Sequence, residues 1–95
     1  MNTIYKYEIP IDGEFTLELP LGARILSVQA QPQDGLLMNN DKVFIWAIVN
    51  PYNEKIKRKF HVHGTGNPLY DHYKYIGTFQ VYNGRLVWHL FEGRI

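Results

Sequence analysis

The chain has 95 residues, which suits one domain with a modest core and leaves no room for separate catalytic and regulatory parts. It is 45% hydrophobic and 15% aromatic, which excludes a disordered chain, and it has no cysteine, which excludes a disulfide framework and any thiolate metal site. Its net charge of +1 is too small for strong non-specific nucleic-acid binding, but residues 1–50 hold three Lys/Arg against six Asp/Glu and residues 51–95 hold seven against three.

No apolar run approaches the roughly 20 residues of a membrane helix, and the opening residues lack the apolar core of a signal peptide, so a soluble intracellular protein with no membrane partner is expected. Residues 3–9 alternate Tyr5, Tyr7 and Ile9 against Ile4, Lys6 and Glu8, the pattern of a half-buried strand stopped by Pro10. After the Asp12-Gly13 turn, residues 14–19 put Phe15, Leu17 and Leu19 inward and Glu14, Thr16 and Glu18 outward. Pro20 and Leu21-Gly22-Ala23 turn the chain into a third strand, residues 24–31, with Leu26, Val28 and Ala30 on one face and Ile25, Ser27 and Gln29 on the other. Residues 31–42 read as a loop, interrupted by Leu36-Leu37-Met38 as a short strand or an exposed apolar tip.

Residues 42–50 are apolar on both faces, which belongs at the centre of a sheet or between layers. Beyond the Pro51–Glu54 turn, residues 55–63 place Lys55, Lys57, Lys59, His61 and His63 on one face, and Ile56, Phe60 and Val62 with Arg58 on the other. Residues 64–74 are the long irregular segment. Residues 75–92 are two apolar-rich runs joined by Asn83-Gly84, the strongest short-range hairpin signal, because a type I′ turn needs positive φ at both central residues. A two-residue loop sets Phe79 against Trp88, Thr78 against His89, Gly77 against Leu90 and Ile76 against Phe91, with Phe79, Val81, Leu86, Trp88 and Leu90 on the core face. Six to seven short strands with no helical periodicity predict an all-β single domain over residues 1–95, an antiparallel sandwich or a partly open barrel ending in that hairpin.

Chemistry has few places to sit. His61 and His63, two apart on one strand face, have a spacing that suits a metal, with His72 or His89 as a third ligand, but continue equally well as a polar stripe. Gly64-Thr65-Gly66-Asn67 directly after a strand resembles an anion-cradling turn, although no helix follows to add its dipole. Tyr70, Tyr73 and Tyr75 suit either stacking on a ligand or covering the end of the core. With Ser27 in mid-strand as the sole serine and no paired carboxylates near the histidines, nucleophilic or acid–base catalysis finds no support, and a non-enzyme without cofactor is expected.

The run Phe60-His61-Val62-His63-Gly64-Thr65-Gly66-Asn67-Pro68-Leu69, the Tyr75–Gln80 run and the Leu86–Glu92 run, together with Ile4, Lys6 and Tyr7, the segment Gly22-Ala23 with Ile25–Gln29, and Trp46, resemble a family of small uncharacterised proteins of bacteriophages and prophages. The likeness covers nearly the whole chain; the residues around Leu36–Asp41 and the His61/His63 pair depart from its usual pattern. It implies an accessory protein of the host cytoplasm that works by stoichiometric binding. The candidate ligand-binding residues are Lys57, Lys59, His61, His63, Thr65, Gly66, Asn67, Tyr70, Thr78 and His89, for an anionic, nucleotide-like small molecule. The alternatives are a protein–protein module or minor virion component, bound to a host protein or self-associated as a homo-oligomer, and a small histidine-based metalloenzyme.

Overall fold

The computed structural model describes residues 1–32, 41–69 and 73–93. Among them, seven strands form two antiparallel sheets: β1 (Thr3–Ile9), β4 (Asp41–Val49) and β3 (Arg24–Pro32) in that order, and β2 (Gly13–Pro20), β5 (Lys55–Gly64), β7 (Leu86–Glu92) and β6 (Lys74–Val81) in that order. The fold is the expected all-β architecture, as an open sandwich and not a closed barrel. The three residues Leu36-Leu37-Met38 lie outside the described part.

Alternation decides which side chains meet between the layers. Val43, Ile45, Ala47 and Val49 of β4 and Ile9 of β1 face Leu19, Phe60, Val62, Phe79, Val81 and Leu90 of the other sheet, all buried. At about 25 cal/mol per Å² of apolar surface removed from water, this layer is the main source of stability. The apolar opposite face of β4 is not sandwiched: Phe44, Trp46 and Ile48 are half-buried beneath Lys6, whose ammonium lies 3.9 Å from the Phe44 ring centre.

The hairpin pairs as its turn dictates from Val81/Leu86 to Gly77/Leu90, including Phe79/Trp88 on one face. Arg85 N–H donates to Tyr82 C=O at 3.2 Å, and Asn83 and Gly84 take φ of 58° and 82°. Tyr82 itself sits at φ 55°, a strained conformation for a bulky residue, held by a 2.9 Å bond from its N–H to the Asp41 carboxylate.

Two register expectations fail for one reason. A bulge at Ile76 brings Tyr75, not Ile76, opposite Phe91, and a bulge at Leu26 turns Leu26 out to 44% exposure while Ile25 packs against the core. An inserted residue reverses the period-2 frame, so alternation read through it assigns the wrong face. Leu86, expected in the core, is 42% exposed, because its neighbouring strand β5 has already ended.

Arg58 is the one cation on the inner face of β5. Its Nε and Nη2 each donate to a Glu92 oxygen at 2.7 Å and its Nη1 donates to Ala23 C=O at 2.6 Å, tying the two sheets together at their open end. The hydrogen bonds to Glu92 push the guanidinium above its ordinary value, outweighing the opposite pull of burial. With side chains 15% and 20% exposed, this pair is costly to break from one side. Arg58→Ala should destabilise the fold by about 3 kcal/mol in urea denaturation, and Arg58→Met combined with Glu92→Leu should recover most of that loss. Asp41→Ala, which frees the strained Tyr82 amide, should cost about 1–2 kcal/mol in the same assay, with Asp41→Asn costing less.

Candidate functional site

The site follows from strand order. β5 and β6 are parallel, with β7 between them, so the chain leaving β5 at Gly64 must travel back along the sheet before entering β6 at Lys74. The inner face is filled by core, which leaves the outer face. Tyr73, at the far end of this crossover, stacks on His61 with ring centres 5.6 Å apart and planes 11° apart, and lies 6.4 Å from Phe91. His63, Phe91 and Tyr75 continue the ring cluster. The histidine stripe therefore packs against Tyr73 and Phe91 as a second, smaller ring cluster on the outer face.

The start of the crossover is a tight turn. Asn67 N–H donates to Gly64 C=O at 3.2 Å with Gly66 at φ 89°, the positive value a type II turn needs in its third place. Gly64 has no room for a side chain: a Cβ there would sit 2.8 Å from Asn67 Nδ2 and 3.0 Å from the Trp88 ring.

Two histidines hold the turn from below. His63, 8% exposed, donates from Nε2 to Asn67 C=O at 2.7 Å. His89 lies between two threonines, with Nε2 2.8 Å from Thr65 Oγ1 and Nδ1 2.9 Å from Thr78 Oγ1, and Tyr75 Oη is 2.7 Å from the same Thr78 oxygen. Thr65 spends its only hydroxyl proton on Val87 C=O at 3.1 Å, so the hydrogen toward Thr65 belongs to His89 Nε2. Nδ1 then accepts from Thr78, and Tyr75 donates to Thr78. The chain runs Tyr75 to Thr78 to His89 to Thr65 to Val87, and it fixes His89 in its Nε2–H tautomer. With Nε2 already protonated, His89 has no lone pair with which to activate the Thr65 hydroxyl as a nucleophile.

Where β5 ends, the sheet opens into a cleft of about 420 Å³ lined by Gly64, Thr65, Asn67, Arg85, Leu86, Val87 and Trp88. Among the described residues, two buried side-chain polar atoms lack a hydrogen-bond partner: Trp88 Nε1, on a ring lining the cleft, and His61 Nδ1, under the crossover. Arg85, on the rim, makes no ion pair with a described residue.

Of the residues singled out by sequence, the structure gathers His63, Thr65, Gly66, Asn67, Thr78 and His89, with His61 beside His63. Tyr70 lies outside the described residues. Lys57 and Lys59 are not part of this cluster. Lys59 reaches Glu14 at 3.4 Å and Lys57 stands opposite Glu18 in register, so carboxylates of β2 offset part of the cationic stripe. No group of three or more His, Asp or Glu among the described residues is arranged to hold a metal ion. Sequence reasoning missed Arg85 and Trp88 as cleft residues; the available signal was Arg85 next to the Asn83-Gly84 turn, at the end of the hairpin where β5 no longer pairs. Long-range ¹H–¹⁵N NMR should find neutral His89 as the Nε2–H tautomer, with Thr78→Val depleting that form; an Nδ1–H tautomer in the native protein would reverse the donor order and reopen Thr65 to activation.

No curated protein and no solved structure matches the chain. One family model does, along residues 1–95. The chain belongs to the family described as Domain of unknown function (DUF7352).

Proposed function

We propose that the chain is a non-enzymatic binding protein that takes a small anionic, nucleotide-like molecule in the cleft between the Gly64–Asn67 turn and the start of β7. One observation carries the reading: Arg85, which makes no ion pair with a described residue, and the Trp88 ring line the same cleft. An anion in the cleft meets that cation through charge-assisted hydrogen bonds, and the Trp88 ring offers an aromatic body an apolar surface. The cleft volume lies within the range of about 300–1,000 Å³ common for small-molecule sites.

Asn67 supplies a side-chain amide, and the His63 and His89 bonds hold the turn in place before any ligand arrives, which lowers the ordering cost of binding. The tautomer of His89 favours binding over catalysis. The resemblance to phage and prophage proteins supports a role in a host cytoplasm, where a stoichiometric binder would sequester a nucleotide-like defence signal.

A second reading, a protein–protein module, has its own support in the half-buried Phe44, Trp46 and Ile48 and the exposed Ile4 and Leu26 on the outer side of the three-stranded sheet. One screen decides between them. A ligand at 100 times its Kd stabilises by about 2.7 kcal/mol, which for a domain of this size raises the melting temperature by about 10 °C or more. Mono-, di- and cyclic nucleotides should include at least one that does so, with Arg85→Ala weakening it about 10- to 100-fold. No shift with any nucleotide overturns the cleft reading and leaves the protein–protein one.

A further inference from the structure

At the opposite end of β7, the open end between the sheets holds a second cavity, of about 210 Å³, lined by the start of β3, by Arg58, by the start of β6 and by Glu92. We propose that it is an anion site for a phosphomonoester with a short apolar body, separate from the cleft at the Gly64–Asn67 turn. Glu92 is four residues beyond Trp88 on β7, about 14 Å along the strand.

Charge is the first argument. The lining carries Arg24, Arg58 and Lys74 against Glu92 alone, an excess of +2 in a chain whose net charge is +1. Both Glu92 oxygens are committed to Arg58, and neither Arg24 nor Lys74 makes an ion pair with a described residue. Arg58 is fixed by three hydrogen bonds, which leaves two of its five N–H donors unspent. A guanidinium held by three hydrogen bonds with donors to spare, flanked by two exposed cations, matches a phosphate better than a single carboxylate.

Shape is the second. The cavity is about seven waters' worth of space, enough for a phosphate group and a few carbons. Ile25 and Ile76 supply its apolar wall, and they sit at the two β-bulges. Each bulge sits in an edge strand and turns side chains away from the frame of regular alternation, and together they shape this opening. That both sheets are irregular at the same place, around a cavity where Arg24 and Lys74 make no ion pair with a described residue, is what separates it from an ordinary gap at a sandwich end.

The test is ¹H–¹⁵N NMR titration at constant ionic strength with inorganic phosphate and with propyl phosphate. The Arg58 Nε–H and the Arg24 and Ile76 amides should shift saturably, with propyl phosphate binding roughly tenfold tighter than inorganic phosphate through its buried methylenes. The double variant Arg24→Ala, Lys74→Ala changes two exposed side chains, so the fold persists, and should weaken binding roughly tenfold or more. Arg85→Ala should leave it unchanged, which separates this site from the cleft. A linear, unsaturated response, equal affinity for the two phosphates, or a double variant that binds as well as the native chain would each overturn the proposal.

Discussion

The placement of β7 between two parallel strands is the constraint on which this molecule depends. Antiparallel neighbours need only a turn between them, but β5 and β6 point the same way and are separated by a strand, so the intervening chain must run back along the sheet. Its described residues Asn67 and Tyr73 lie against histidines of the outer face, the inner face being occupied by Phe60, Val62, Phe79 and Leu90. An outer face crossed by a chain cannot be purely polar. It carries His61, His63, Phe91 and Tyr75 beside Tyr73, rings whose apolar bodies pack, with His63 Nε2 reaching the backbone at Asn67. The same topology ends β5 early beside β7 and so opens the cleft. Covering the sheet and opening the site are two consequences of one connection.

Much of the fold was legible in the sequence because it rests on local rules. Asn83-Gly84 fixes the hairpin register without reference to anything distant, and Phe79 and Trp88 pair as that turn requires. The alternation of Phe15, Leu17 and Leu19 with Glu14, Thr16 and Glu18 marks a strand exposed on one side only. Bulges break this kind of reading. Leu26 is neither a glycine nor flanked by glycine or proline, so nothing local announces its bulge, whereas Ile76 precedes Gly77, whose place inside a strand is the one local sign of an inserted residue.

The site was legible in part. Gly64-Thr65-Gly66-Asn67 stood out because two glycines in one turn imply a required conformation and a close approach, and both hold: Gly66 has positive φ and Gly64 abuts Trp88. The roles of His61 and His63 were not legible. Two histidines on one strand face look alike in sequence whether they bind a ligand, line a polar stripe or support a neighbouring segment, and only their contacts with Tyr73 and Asn67 distinguish these. The lysines misled for a related reason. Lys57 and Lys59 look like an anion-attracting stripe until β2, some 40 residues earlier in the chain, proves to be the neighbour that sets Glu18 and Glu14 beside them.

Where a small anion is drawn therefore depends less on how many cations the chain has than on which remain unpaired. A surface lysine already beside a carboxylate offers an incoming anion little, since the existing partner must be displaced in high dielectric for a small return. Lys42 with Glu8 and Lys59 with Glu14 are in that position. Arg58 with Glu92 differs again: it is partly buried and locked, so it shapes its surroundings and keeps only its spare N–H donors for a ligand. Arg85, Arg24 and Lys74 are left without ion pairs among the described residues, and they fall at the two ends of β7, each beside a cavity. Pairing on the β2 side removes the stripe that composition suggested and leaves the ends of the four-stranded sheet as the places where its charge can act.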